Sequence, residues 1–281
     1  MVITFDKVFG AAALCVVLVL FIVFGNGGDI DITARAEASE AEELILPASV
    51  ISLQEGSELL LVDKGSHTLY LYSTKGFERF NITSGQAKGD KQKRGDLKTP
   101  EGVYFFNKVI EGKDLPSKYG VLALVTDYPN PVDRANKKSG SGIWLHGTDD
   151  PPRLERPRDS RGCTVLLNED VLKITKQVKL GETPMVVEEE VLFIGSTEFD
   201  KKREELFKEL KRLELITAES AKDHTILMAG GMVTVSRVVG TENLVTYLNN
   251  TDNGYEVVAT QSLSINTKEP SDTALRLGNK N

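Results

Sequence analysis

"ELLLVDKGSHTLYLYSTKG", residues 58–76, decides how the chain is read. Two short apolar runs flank Asp63-Lys64-Gly65-Ser66, a cluster of turn formers. Strand alternation turns Leu69 and Leu71 to one face and Tyr70 and Tyr72 to the other. The series continues with "FERFNITSG", "GVYFFNKVI", "GVLALVTD", "GIWLHG", "GCTVLL" and "TPMVVEEEVLFIG". Many short strands with Gly and Pro punctuation predict a mainly β domain, a β-sandwich or open barrel, over residues 51–192. Pro100 and Gly102 are read as the turn into one of these strands. One short helix is expected in "NEDVLKITKQV", 168–178, with Asn168 as N-cap and Glu169 and Asp170 in its first turn.

The composition changes after 192. "STEFDKKREELFKELKRLEL" is a charged amphipathic helix that places Phe199, Leu206, Leu210 and Leu213 on one face, with Thr197 as cap. "TILMAGGMVTVSRVV", "ENLVTYLNN" and "GYEVVATQSLSI" follow, and Asn253-Gly254 marks a hairpin turn between the last two. Residues 193–266 are therefore expected to form a small α+β accessory domain, and 267–281 a flexible tail. No internal repeat is visible.

The N-terminal 28 residues differ from everything else. No charge occurs from Val8 to Phe24, seventeen residues, which is the lower limit for crossing a bilayer. Lys7 precedes the run, and Asp29, Asp31, Glu37, Glu40, Glu42 and Glu43 follow it. This pattern predicts a membrane anchor with the bulk of the chain outside, joined by an acidic linker over 29–50. The rival reading is a signal segment cleaved near Ala34-Arg35-Ala36. A formal net charge of −7 argues against a nucleic-acid partner. Two cysteines cannot build a disulfide framework, and Cys15 lies inside the apolar run. An exported Cys163 is thus a lone thiol in an oxidising space.

Cys163 stands in "SGIWLHGTDDPPRLERPRDSRGCTVL", residues 141–166, together with His146. A thiol with a reference pKa near 8.5 needs a base or a positive charge to react at neutral pH, and His146 can be that base. Gly162 leaves the approach to the sulfur open, and Gly147 lets the backbone bend beside the imidazole. Backbone N–H groups around Cys163 can hold an oxyanion. Arg161 can favour the thiolate or bind a substrate carboxylate. On residue types alone, an inert buried cysteine and a structural histidine remain open.

The wording around the pair resembles a known family. "GIWLHGT", "SRGCTVL", "NED" and "GETPMVV", preceded by "LLVDKGSHTLYLYSTKG" and "ITSGQAKGD…GDLKTPEGVYFF", look like the YkuD-type L,D-transpeptidase catalytic domain. The resemblance covers roughly residues 55–190. It implies a mostly β fold and a role in cell-wall biogenesis and cell shape. It also implies acyl transfer on peptidoglycan stem peptides through a cysteine thioester, in the cell envelope outside the cytoplasmic membrane. Cys163 falls on the nucleophile, His146 on the general base, and Ser160 and Gly162 on the motif positions before the cysteine. No cofactor is implied. Partners would be stem peptides and, in one variant, a protein amine at the wall.

Three departures stand out. Arg161 replaces the histidine usual between Ser and Gly, thirteen residues separate His146 from Ser160, and Val165 occupies a commonly polar position. They resemble the YafK-like branch, which includes hydrolases. A carboxypeptidase or an amidase using the same pair is therefore the alternative, and a non-catalytic wall-binding module a further one.

Other features carry less. Lys88, Lys91, Lys93, Arg94 and Lys98 form either a solvated loop or a lid over the cleft, and no GxxxxGK[ST] supports a phosphate site. Residues 149–159 are a Pro-rich loop that shapes the cleft mouth or merely connects. Trp144 is expected in the core, and His67 and His224 outside the site. No metal motif and no G-x-S-x-G elbow occurs.

Overall fold

The computed structural model describes residues 45–266. The apolar segment, most of the acidic linker and the tail from 267 lie outside them. Among the described residues no helix is long and apolar enough to cross a membrane.

The elements in chain order are β1 (Ile45–Pro47), β2 (Val50–Ser52), β3 (Glu58–Asp63), β4 (Thr68–Ser73), β5 (Gly76–Asn81), β6 (Gly102–Glu111), β7 (Leu122–Thr126), α1 (Pro131–Ala135), β8 (Trp144–His146) and β9 (Thr164–Val165). They continue as α2 (Asn168–Thr175), β10 (Pro184–Glu188), β11 (Phe193–Gly195), α3 (Ser196–Arg212), β12 (Thr225–Ala229), β13 (Met232–Val239), β14 (Glu242–Thr251) and β15 (Gly254–Ser264). The fold is mainly β.

Its centre is the hairpin quoted first. β3 and β4 pair antiparallel with Leu60 opposite Leu71 and Leu61 opposite Tyr70. Asp63 Oδ1 accepts from Ser66 N at 2.8 Å and closes the turn. An eight-stranded sheet grows around it in the order β5-β4-β3-β10-β6-β7-β8-β9 and curls. Only β3–β10 and β8–β9 run parallel within it.

Alternation along β3 sorts its apolar run into two cores. Leu60 and Val62 join Leu69, Leu71, Tyr104 and the α2 residues Val171 and Ile174. Leu59 and Leu61 join Tyr70, Val103, Phe105 and Val186, against Leu227, Met232, Val245 and Tyr247. A strand covered on both faces needs a continuous apolar run, which "LLLV" supplies.

The second core welds the two halves of the chain together. The five-stranded sheet has the order β15-β14-β13-β12-β2. Its other face packs under α3 through Ile51, Leu206, Leu210, Ile226, Val233 and Leu248. Tyr247 donates to Asp127 Oδ2 at 3.2 Å, and Asn243 Nδ2 donates to Gly181 O at 2.9 Å.

Several local expectations differ from the structure. Residues 45–50, expected in the linker, are not tether: β1 pairs β11, and β2 pairs β12 as an edge of the C-terminal sheet. Val50 and Ile51 are buried there, which repays ordering the backbone. Asn168 is the first helical residue of α2, after Leu167, and its side chain does not cap. Likewise α3 starts at Ser196 behind Gly195, so Thr197 lies inside the helix. The last hairpin turns through Asp252 and Asn253, with Gly254 opening β15 at φ +102°.

Candidate active site

β8 and β9 lie side by side in parallel, with Leu145 opposite Thr164 and His146 opposite Val165. Cys163, one residue before Thr164, is therefore level with Trp144. Paired residues on neighbouring strands share a face, and so do residues two apart. Trp144, His146, Cys163 and Val165 thus face the same way. Leu145 and Leu166 point into the core from the other face.

The sulfur is half-buried, and its S–H donates to Gly142 O at 3.4 Å rather than to His146. Burial pushes the Cys163 thiol up; the Trp144 backbone N–H and the charges of Arg153 and Lys118 pull the other way without cancelling it.

His146 is 2 % exposed. Its Nδ1 lies 2.5 Å from Gly147 O. A carbonyl only accepts, so Nδ1 carries the proton and Nε2 keeps the lone pair. Burial drives the imidazole down to about 4; Arg153 and Lys118 add to this, and the Gly147 bond opposes it. The ring of Tyr119 meets His146 edge-on with centroids 4.8 Å apart, and lies 5.1 Å from Trp144. Trp144 is half-buried against Tyr119 on this face, so it walls the site instead of filling the core.

The turn before the nucleophile is clasped by Ser160. Its Oγ donates to Cys163 O at 2.6 Å and accepts from Gly162 N at 3.0 Å. The Gly162 N–H is thereby occupied and is not a free oxyanion donor. Gly162 has φ +128°, and a Cβ there would sit 2.8 Å from Lys98 O. Gly147 serves close approach, not bending: a Cβ would sit 2.3 Å from Asn168 Oδ1. Arg161 is exposed, with no hydrogen bond or ion pair among the described residues, and its charge is not among those that move Cys163.

The flanking loops are fixed from within. Thr83 Oγ1 donates to Arg156 O and accepts from Asp159 N, which holds the 149–159 loop against the strand beside Val165. Arg153 of that loop donates to Asp159 O through Nε and Nη2. In the lysine-rich loop, Lys91 is buried and binds Asp96 at 2.6 Å, so it is structural. Lys88, Lys93 and Arg94 face solvent. His67 sits in the β3–β4 turn, and His224 bonds Ser220 O away from the pair. Among the described residues no group of His, Cys, Asp and Glu could hold a metal ion.

The structure sets Cys163, one residue before β9, level with β8 and its His146, and places Ser160 and Gly162 in the turn before the cysteine. Sequence reasoning misses Tyr119, which carries no motif signal, and it misassigns Asn168.

Comparison with solved structures finds the same fold. Bd1075 of Bdellovibrio bacteriovorus is 24% identical over 80% of this chain and 100% of that one, with a TM-score of 0.62. The helical cell shape determining protein Pgp2 of Campylobacter jejuni is 19% identical over 78% of this chain and 94% of that one, with a TM-score of 0.51. Comparison with curated protein sequences finds no match. Residues 57–187 match the family described as YkuD, L,D-transpeptidase catalytic domain, whose members act on peptidoglycan stem peptides. Residues 57–187 thus form a YkuD-type L,D-transpeptidase catalytic domain.

Proposed function

We propose that the protein is an exported cysteine acyl-transferase, an L,D-transpeptidase that works on peptidoglycan stem peptides through a thioester on Cys163. One observation carries the reading. Cys163 and His146 share a face of adjacent strands, and the His146 proton is committed to Gly147 O, which leaves Nε2 free as a base. Residues 51–192 are the catalytic domain and 193–266 the accessory one. The apolar segment 8–24 holds both at the outer face of the cytoplasmic membrane.

Burial favours the neutral form of both groups, so the resting pair is thiol and imidazole. Proton transfer then accompanies attack instead of preceding it. Rotation about the Cys163 side chain brings the S–H from Gly142 O toward Nε2. Sulfur bonds to the stem-peptide carbonyl carbon as Nε2 takes its proton. The Cys163 N–H stabilises the oxyanion, since Gly162 N is engaged by Ser160. Collapse breaks the C–N bond, and the imidazolium proton goes to the departing D-alanine amine. An amine of a second stem, or of a protein at the wall, attacks the thioester; Nε2 takes its proton and returns it to sulfur. Arg161, unpartnered and beside the nucleophile, binds a substrate carboxylate.

The test incubates the full-length chain with disaccharide tetrapeptide and follows products by mass spectrometry beside Cys163→Ala. Cys163-dependent cross-linked dimers are expected. Tripeptide and free D-alanine without dimers would replace transfer by hydrolysis, with water as the acceptor. No Cys163-dependent product, from this substrate or from intact sacculi, would leave a wall-binding module.

A further inference from the structure

We infer that Asn168 is a positioning residue for His146, acting through the peptide group between Gly147 and Thr148. The inference rests on His146 being the general base, and adds to that reading what holds the base in its working form.

The geometry is a short relay. Gly147 O accepts the Nδ1–H of His146 at 2.5 Å. The N–H of the same peptide group belongs to Thr148, and it donates to Asn168 Oδ1 at 3.2 Å. One amide unit therefore lies between the imidazole and the Asn168 carboxamide, bonded at both ends. A hydrogen bond to the N–H of an amide polarises its carbonyl, which becomes a better acceptor. The carbonyl in turn keeps the proton on Nδ1 and the lone pair on Nε2. Asn168 thus stands where a carboxylate orients the histidine of a hydrolytic triad, but one peptide removed.

The same oxygen does a second job. Asn168 Oδ1 also accepts from Val121 N at 3.1 Å. Val121 ends the loop that carries Tyr119, whose ring meets His146. The hydrogen-bond partner of the base and its aromatic wall are therefore tied to one atom.

Two glycines make room for that atom. A Cβ on Gly147 would lie 2.3 Å from Asn168 Oδ1, and one on Gly120 would come nearer still. Gly120 has φ +65° as well. Asn168 opens α2, whose Val171 and Ile174 are wholly buried, so its backbone is anchored. A capping role does not explain the residue, because its side chain makes no cap bond.

The test uses the full-length chain with 15N-labelled imidazoles. Only three histidines occur, and His146→Ala assigns the signal. The proposal expects neutral His146 with its proton on Nδ1. In Asn168→Ala that preference relaxes, and kcat on disaccharide tetrapeptide falls about tenfold with KM little changed, the scale of one hydrogen bond. Asn168→Asp keeps an acceptor in place and restores both the tautomer and most of kcat. A wild-type spectrum with the proton on Nε2 overturns the proposal without any variant. So does a folded Asn168→Ala with unchanged tautomer and kcat, however far its Tm drops. If the alanine variant does not fold, Asn168→Asp decides, and loss of the Nδ1–H form there overturns the proposal. Turnover that survives His146→Ala would instead remove the general base itself, while the tautomer spectrum reads Asn168 separately.

Discussion

Lys64 and Glu101 form an ion pair of 2.8 Å with the lysine side chain 1% exposed. The same ammonium reaches Glu189 Oε2 at 3.2 Å and the carbonyls of Gly89 and Thr99 at 3.0 and 3.2 Å. Gly89 lies in the lysine-rich segment and Thr99 just follows it, next to Lys98, whose carbonyl backs Gly162. A residue in the β3–β4 turn therefore holds the wall behind the nucleophile.

Replacing Lys64 with Met should strip Glu101 of its ammonium and the Gly89 and Thr99 carbonyls of a donor, while Glu189 keeps Arg158 and the Gly89 N–H. Breaking one side of a buried pair costs about 3 kcal/mol or more. Urea denaturation of Lys64→Met is expected to show a loss of that order, together with reduced turnover. A loss below about 1 kcal/mol would mean that water replaces the ammonium and that the segment is not held from β3.

Which parts of this arrangement were legible in the sequence follows from range. The alternation of Leu69, Tyr70, Leu71 and Tyr72 is local, and both faces were assigned correctly, since the leucines and tyrosines enter different cores. Cys163 and His146 were visible because their neighbours form a motif. Asn168 was visible only as a residue type. A side chain suited to capping its own helix is equally suited to accepting from two distant loops, and the sequence does not distinguish them. Lys91 differs for a similar reason: its partner Asp96 is near in sequence, but Gly140, which lies against its side chain, is distant. The pairing of β2 with β12, Val50 opposite Leu227, spans most of the chain and leaves no local trace.

Gly162 is the position where the motif has the strictest steric reason. At φ +128° an L side chain is strained, and its Cβ would press on Lys98 O at 2.8 Å and on Ile143 Cδ1 at 3.0 Å. Gly162→Ala should destabilise by about 2 kcal/mol. It should also displace the Ser160 clasp and cut turnover far more than the stability loss explains. Thermal melting and kcat on the same preparation check this; a variant with wild-type kcat would show that the turn before Cys163 tolerates rearrangement.

The acid limb of activity should lie low. Burial holds His146 down to about 4, so the base stays neutral well below the ordinary imidazole value. Burial also holds the Cys163 thiol up, so no thiolate forms by itself at neutral pH. The profile of kcat/KM is expected to be flat across neutral pH and to fall only as pH approaches about 4. An inflection near 6.5, the reference for a solvated imidazole, would show that His146 is exposed to water in the working enzyme.

Asp127 should make stability depend on pH in the opposite sense from most carboxylates. Burial raises its pKa from 3.8 to about 7, against the hydrogen bonds from Phe105 N–H and Tyr247 O–H and with help from the Asp133 charge. The unfolded chain releases this proton near 3.8, whereas the folded chain keeps it to about 7. The folded state is thus favoured below the lower value, loses that advantage as pH climbs between the two, and has none above the higher. The full span is discounted because Asp127 is only partly buried by exposure, leaving a decline of about 2 kcal/mol. Asp127→Asn cannot titrate, yet its Oδ1 still accepts from Phe105 N and its Nδ2 can donate to the Tyr247 hydroxyl. Urea unfolding at pH 5 and pH 8 should therefore show the decline in the wild type and a much smaller one in Asp127→Asn. Equal slopes in the two proteins would place the titrating group elsewhere and remove Asp127 as the pH-sensitive link between the two sheets.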